Sequence, residues 1–441
     1  MLSIGLMSGT SMDGIDAALL ETDGSAHYLH ELGHTSISYP PVFQLLLKAA
    51  ELAVRQQAGD IEKAKQYYVS AVKHYLIDEL DIAEHQMSDK LAELSTYLHG
   101  MLTLDAVIQH STELHILAVK KLLAEKGYAA NQIDVIGYHG QTLFHSPPRK
   151  VSIIVGDGQY LAEQTNITVV NNFRRCDIDA GGQGAPFAPI YHQALAIRDK
   201  KIPLAVINCG GISNVTLINS ACETDLVGFD TGPGNNLIDR LVRQRTRGKE
   251  NMDRDGQYGK QGQINTTVLQ ALYEKSIIKN GQNYFLLMPP KVLDAGDITL
   301  IPELDLLSLE DACATLEMFT ADSIIRSVEL LNITLPTNWI LTGGGWNNSM
   351  IREEFIRRLT EKIGNSVRVM TADNAGWNSQ AMEAQIFAFL AVRSLRNMPL
   401  SVPSTTRVPR PLSGGQTYIP TYGVTNAVKK LLGTRFLDKE K

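Results

Sequence analysis

A phosphate group is held by several N–H or O–H donors that converge without bulky side chains in the way. Two stretches of the sequence offer that chemistry. Gly9, Thr10, Ser11 and Gly14 lie in the polar run Ser8-Gly-Thr-Ser-Met-Asp-Gly-Ile-Asp16, and Gly210, Gly211, Ser213 and Asn214 lie in Cys209-Gly-Gly-Ile-Ser-Asn214. A third glycine turn, Gly343-Gly-Gly345, can also bring backbone close to a ligand. Gly228-Phe-Asp-Thr-Gly-Pro-Gly-Asn-Asn236 adds a carboxylate and two amides at a helix start, which serve either as an Asx-type start or as a ribose or phosphate contact. The densest cluster is Arg174-Arg-Cys-Asp-Ile-Asp-Ala-Gly-Gly-Gln-Gly-Ala-Pro186, where guanidinium groups and carboxylates, among them Asp177, can pair with each other or do acid–base work. His139 and Gln141, in Gly137-Tyr-His-Gly-Gln-Thr142, can orient the hydroxyls of a polar ligand. There is no GxxxxGK[ST] run, and no GxGxxG follows the first strand, which excludes a Walker A ATPase and a Rossmann dinucleotide site.

The elements that must position these groups follow from the pattern around them. Ser3–Met7 and Ala17–Thr22 flank the first polar run and read as a β-hairpin, as do Leu204–Asn208 and Val215–Ile218 around the second. Two such hairpins about 200 residues apart predict two similar halves. Ile133–Ile136, Val151–Val155 and Ile167–Val170 read as buried strands with polar ends, the place where open α/β sheets put their sites. Asn338–Thr342 reads as a strand that runs into the third glycine turn and a helix from about Asn348 to Lys362. From Leu45 to Lys126 the apolar residues recur at helical spacing, as in Ala64, Tyr68, Ala71, Val72 and Leu76, and this stretch reads as packing. Its last helix ends near Gly127, and Ala381–Leu395 is a further helix.

The chain has 441 residues, with 41 Lys and Arg against 47 Asp and Glu, a formal charge of −6. Roughly 150 residues per domain predicts two or three units. Hydrophobic content of 44% with 20% charged residues excludes a disordered chain. The acidic balance argues against a broad electrostatic hold on nucleic acid or anionic lipid. Cys176, Cys209, Cys222 and Cys313 have neither zinc-ligand nor disulfide-framework spacing. No apolar run approaches the roughly 18–20 residues of a membrane span. Gly5, Gly9, Asp13 and Asp16 interrupt any signal-peptide core. The expectation is a cytoplasmic protein.

Leu6-Met-Ser-Gly-Thr-Ser-Met-Asp-Gly-Ile-Asp16 resembles the opening signature of the anhydro-N-acetylmuramic acid kinases, cell-wall-recycling members of the sugar kinase/Hsp70/actin superfamily. The resemblance continues through His139-Gly-Gln-Thr142, Phe173–Pro186, Gly210-Gly-Ile-Ser-Asn-Val215, Phe229-Asp-Thr-Gly-Pro-Gly-Asn235, Asp253-Arg-Asp-Gly256, Gly343–Gly345 with Asn348, and Met382-Glu-Ala384. It implies an α/β fold of two actin-like, ribonuclease H-like lobes with an ATP cleft between them, the helical segment at about 45–126 elaborating the first. The N-terminal lobe is expected over 1–203, with the first phosphate loop and the sugar-site loops. The C-terminal lobe is expected over 204–441, with the second phosphate loop and the adenosine site, its last helices able to pack back on the first lobe.

By the same resemblance, Gly9, Thr10, Ser11, Met12, Asp13, Gly14, Ile15 and Asp16 would form the first phosphate loop. Gly210, Gly211 and Asn214 would form the second, joined by Asp230, Gly232, Gly234 and Asn235. Gly343, Gly344, Gly345 and Asn348 would lie near the adenosine. The implied reaction opens the 1,6-anhydro bridge with water at C1 while the freed O6 takes the γ-phosphoryl group of ATP, giving N-acetylmuramic acid 6-phosphate in peptidoglycan recycling. Asp177 matches the position of the general base, and a carboxylate ionised at pH 7 can accept a proton from a held water. His139, Gln141 and Arg174 are the expected substrate contacts. Mg²⁺ is the expected companion of ATP, with Glu383 and Asp13 as candidate ligands. The expected partners are a small anhydro-sugar and a second copy in a homodimer, with no nucleic acid and no membrane.

The sequence departs from the family pattern in a longer helical segment within 45–100 and at two further places. Asn172 stands where an Asp usually precedes the Phe-Arg pair, and Val292-Leu-Asp-Ala-Gly296 replaces Ser-Thr-Gly-Arg-Glu after Pro289-Pro-Lys291. The altered 292–296 segment leaves open a kinase of another 1,6-anhydro-sugar such as levoglucosan. A non-catalytic actin-like nucleotide-binding protein is the other alternative, and Asp177 together with both phosphate hairpins argues against it.

Overall fold

The hairpin predicted at the start of the chain forms from β1 (Leu2–Ser8) and β2 (Gly14–Thr22), and its strands stay paired as far as Met7 opposite Asp16. The computed structural model describes residues 1–9, 11–294 and 296–433. These residues fall into two units, one of 1–184 with 380–400 and 411 onward, the other of 185–379 with 401–410.

The first unit adds β3 (Leu29–Ser38), β4 (Val135–Ser146), β5 (Val151–Val155) and β6 (Thr168–Asn171), and it recruits β12 (Gln416–Tyr418) from the end of the chain. The sheet order is β12-β6-β4-β1-β2-β3, with β5 pairing β4. β2 runs antiparallel to β1 and to β3, whereas β4 is parallel to β1 and β6 parallel to β4.

The second unit contains β7 (Leu204–Cys209), β8 (Ile212–Ile218), β9 (Leu226–Pro233), β10 (Asn338–Thr342) and β11 (Arg368–Thr371), in the order β11-β10-β7-β8-β9. Its pairing senses repeat those of the first unit: β8 is antiparallel to β7 and β9, and β10 is parallel to β7 and β11. Once β5 and β12 are set aside, both sheets read third, second, first, fourth, fifth. The predicted similarity of two halves is thus a repeated topology. The boundary expected after residue 203 falls inside the second unit, because helix Ala188–Arg198 packs on β8 and β9.

The 45–126 region is helical as predicted, in Pro41–Gln56, Ile61–Asp78, Met87–Tyr97 and Leu104–Lys126. Asp60 and Thr103 cap two of these helices through their side chains, and Gly127, in the left-handed conformation, ends the last. The face carrying Ala64, Tyr68, Val72 and Leu76 is buried in the core of the first unit. Helix Met382–Leu395 lies across β1, β2 and β4. It comes so close that a Cβ at Gly5 would overlap the Ala384 carbonyl, and one at Gly137 the Phe387 carbonyl. Ser3 Oγ fixes the contact by donating to the Ala388 carbonyl at 2.7 Å.

Two readings change. β4 does not stop at residue 136 but runs on to Ser146, so His139 and Gln141 sit inside a strand rather than at its end. Gly140, at φ 78°, takes up the register shift opposite Leu6–Ser8, which lets the strand continue. The segment read as turn-rich from Gly228 is edge strand β9, where Gly and Pro are tolerated because one side of the ladder is unpaired.

Candidate active site

In the first unit, the loop between β1 and β2 folds around its own backbone. Met12, at φ 55°, donates its N–H to the Gly9 carbonyl at 3.1 Å. Gln141 Nε2 on β4 donates to the same carbonyl at 3.1 Å, and Ser8 Oγ donates to the Gly140 carbonyl at 3.1 Å. Met12 (2% exposed) and Ile15 are core side chains, so they can offer a ligand only backbone. Ser11 and Asp13 are exposed and joined by a 2.8 Å hydrogen bond. Thr10 lies outside the described residues. Asp16, opposite Ser36 in the β2–β3 register, accepts from Ser36 Oγ at 2.6 Å. Burial, and then the charge of Asp13, hold its carboxyl above the usual range against the pull of Ser36.

Glu383 stands in the first turn of helix Met382–Leu395, where a carboxylate suits the positive end of the helix dipole. Its side chain reaches solvent yet is crowded by protein. That crowding raises its pKa first, followed by the charges of Asp16 and Asp13, while Arg174 opposes them. Three carboxylates within electrostatic reach of one another gain from a shared cation. Among the described residues no group of three or more His, Cys, Asp or Glu forms a ready-made metal cage. Mg²⁺ seldom uses such a cage, since it binds through one or two carboxylates, water and substrate phosphate. The donor set therefore fits that ion.

Asn172 adopts φ 54°, a conformation Asn tolerates well, and starts helix Phe173–Asp179, where the sequence had suggested a polar loop. Asp177 on this helix is 2% exposed, and its Oδ1 accepts the Gly184 N–H at 2.6 Å. Arg174 holds the other side of the same residue, with Nη1 donating to the Gly184 carbonyl at 2.6 Å and Nη2 to His139 Nε2 at 3.1 Å. A guanidinium only donates, so Nε2 of His139 carries the lone pair. Its Nδ1–H then donates to the Gly140 carbonyl at 2.8 Å. Burial, and then the Arg174 charge, push the His139 pKa down to about 3, so the ring is neutral. Both of its nitrogens are engaged within the protein. His139 thus acts as a brace for Arg174, a role that its position in the sequence did not reveal. Gln141 Oε1, buried beside the loop, accepts no hydrogen bond from the described residues.

In the second unit, the turn between β7 and β8 is only Gly210-Gly211, while Ser213 and Asn214 belong to β8. Its carbonyls are held from behind: the Gly234 N–H donates to Gly211 O and the Asn235 N–H to Gly210 O, each at 2.9 Å. A Cβ at Gly234 would overlap the Gly210 carbonyl, whereas Cβ atoms at Gly210 and Gly211 would meet nothing closer than 3.9 and 3.7 Å. Gly232 lies in β9. Asp230, also in β9, accepts the Leu293 N–H at 2.9 Å through Oδ2, and its own N–H donates to the Lys291 carbonyl at 2.8 Å. It thereby fastens the altered 292–296 segment, of which Ala295 lies outside the described residues. Lys291 is buried, with Nζ donating to the Tyr284 carbonyl at 3.1 Å over the Tyr284 ring, and desolvation lowers its pKa to about 7.

The third glycine turn divides its work. Cβ atoms at Gly343 and Gly345 would crowd Cys209, whereas the space around Gly344 is open. Asn348 caps helix Ser349–Ile363, its Oδ1 accepting from Met350 and Ile351. Its Nδ2 donates to buried Glu317 at 2.6 Å.

Two units that repeat the same strand order apart from β5 and β12, each opening on a glycine-bearing hairpin, define a two-sheet α/β protein. The chain belongs to the anhydro-N-acetylmuramic acid kinase family, whose profile matches residues 82–420. It is 38% identical over 425 residues to the anhydro-N-acetylmuramic acid kinase of Rhodospirillum rubrum, covering 96% of each chain. It is 36% identical to that of Rhizorhabdus wittichii, over 95% of this chain and 99% of the relative. Among solved structures, a ROK family glucokinase from Streptomyces griseus aligns with 11% identity and a TM-score of 0.34, covering 88% of this chain and 98% of that one, which is too loose to carry an argument. Among the described residues no helix is long and apolar enough to cross a membrane.

Proposed function

We propose that this protein is an ATP-dependent kinase that hydrolytically opens the 1,6-anhydro ring of anhydro-N-acetylmuramic acid and phosphorylates O6, a reaction of peptidoglycan recycling. Asp177 carries the reading. It is a buried carboxylate at the end of a short helix, oriented by a turn amide that Arg174 and His139 hold in place. Asp177 takes one proton from the attacking water, whose oxygen bonds to C1 as the C1–O6 bond breaks. O6 then attacks the γ-phosphorus, and ADP leaves with the bridging oxygen. Backbone N–H groups of the β1–β2 loop and of Gly211 would donate to the phosphates, and the open space around Gly344 would admit the adenosine. Asp13 and Glu383 would hold Mg²⁺, whose charge neutralises the phosphates.

The test measures ADP release with and without 1,6-anhydro-N-acetylmuramic acid, with levoglucosan as a second arm. ADP is expected only with the anhydro-muramic sugar, together with one ¹⁸O at C1 when the reaction runs in labelled water. ADP release at the same rate without sugar would defeat the proposal.

A further inference from the structure

We propose that Glu317 is a positioning residue for the Gly343–Gly345 turn, joining Asn348 to the Asp253–Gly259 loop of the same unit. The inference rests on the reading of that turn as the adenosine side of the kinase. Glu317 lies on helix Leu309–Glu329 at 0% exposure. Its Oε1 accepts from Asn348 Nδ2 at 2.6 Å. Asn348 in turn binds the turn through its N–H, which donates to Gly345 O at 3.1 Å, and caps the following helix through Oδ1. One side chain therefore connects the end of the glycine turn with the start of the helix.

The second oxygen of Glu317 faces the loop. A Cβ at Gly259 would overlap Oε2, so the loop backbone lies directly against the carboxyl. Asp253 stands near enough that its charge adds to burial in raising the Glu317 pKa, and its own oxygens accept the N–H groups of Tyr258 and Gly259, each at 2.9 Å; Glu317 Oε2 has no hydrogen-bond partner among the described residues. With Asp253 accepting on both oxygens and Glu317 Oε1 accepting from an amide, the proton of the pair belongs on Glu317 Oε2. Two ionised carboxylates could not sit together here without a buried cation; exposed Lys260 gives only a distant pull. Glu317 thus serves as a neutral acid that accepts from Asn348 through Oε1 and packs Oε2 against the Gly259 backbone.

A glutamine keeps the shape and the acceptor for Asn348, whereas an aspartate keeps the carboxyl group but is one methylene too short to reach both neighbours. The experiment measures ATP dissociation constants by calorimetry, with kcat and the sugar KM, for wild type, Glu317→Gln and Glu317→Asp. The Gln variant is expected to bind ATP within about twofold of wild type. The Asp variant is expected to bind about tenfold more weakly, the loss of about one hydrogen bond. Sugar KM, and kcat at saturating ATP, should stay within about twofold in both. A Gln variant as weak as Asp, or an Asp variant as tight as wild type, would overturn the proposal while wild-type turnover left the kinase reading standing. A wild type that bound no ATP would bring down both.

Discussion

The β1–β2 and β7–β8 hairpins occupy equivalent places in two sheets of the same order, yet their loops differ in kind. The first spans residues 9–13 and exposes Ser11 and Asp13, with Asp16, Glu383 and the Asp177 helix in the same unit. The second is two glycines whose carbonyls are tied back to Gly234 and Asn235, so only backbone faces outward. A repeated topology fixes where a loop stands, while its residues decide whether it does acid–base chemistry or only grips. On the proposed function the first unit would do the reactive chemistry and the second would hold the nucleotide.

The sharpest way to break this contrast is Asp177→Asn, which keeps an acceptor for the Gly184 N–H but cannot take a proton. Turnover should fall about 10³-fold with ATP affinity unchanged within about twofold. A matching loss of ATP binding, read by calorimetry, would move Asp177 into the nucleotide site.

The two units should also answer pH with opposite slopes. Burial holds the folded-state pKa of His139 at about 3, below the 6.5 of an ordinary histidine, so the unfolded chain takes up the proton first. Its contribution to stability is present above pH 6.5 and is lost at about 1.4 kcal/mol per pH unit as pH falls towards 3. Glu317, raised to about 9, does the reverse: its contribution is full below about pH 4.5 and declines as pH rises towards 9. Denaturant unfolding of His139→Gln and Glu317→Gln against wild type at several pH values should flatten these two slopes separately. Equal slopes in all three proteins would refute the assignment.

Gly211→Val tests the grip. The folded protein has room for a Cβ there, so the melting temperature should hold while the ATP dissociation constant rises about tenfold. Unchanged affinity would discredit the second turn as a phosphate loop. The smallest effect belongs to Ser11→Ala, whose exposed hydrogen bond to Asp13 should add no more than about 0.5 kcal/mol to stability. A larger change on thermal melting would mean that the loop is stiffer than its exposure implies.

Local chemistry made the hairpins, the 45–126 helices and the Asn338–Thr342 strand legible, because turn residues and apolar periods act over a few neighbours. What stayed hidden depends on partners far along the chain. β3 has no turn-flanked apolar run of its own and is recognised by its pairing with β2. His139 reads as a ligand until Arg174 is seen on its second nitrogen. Gly343 and Gly345 read as ligand-facing, but the end of β7 is what demands them. No local pattern singles out Glu317, and only the arrival of Asn348 and the neighbouring Asp253 explains a buried acid there. The helix at Phe173–Asp179 was obscured because its arginines and aspartates resembled loop chemistry.

The face made by Gly5 and Gly137 has a consequence for how the protein is synthesised. Its cover, Met382–Leu395, leaves the ribosome only after the whole of 185–379 has been made. The nascent chain therefore carries an unfinished sheet with a bare groove through about half of its translation, and a message truncated before codon 382 would yield a first unit that never closes.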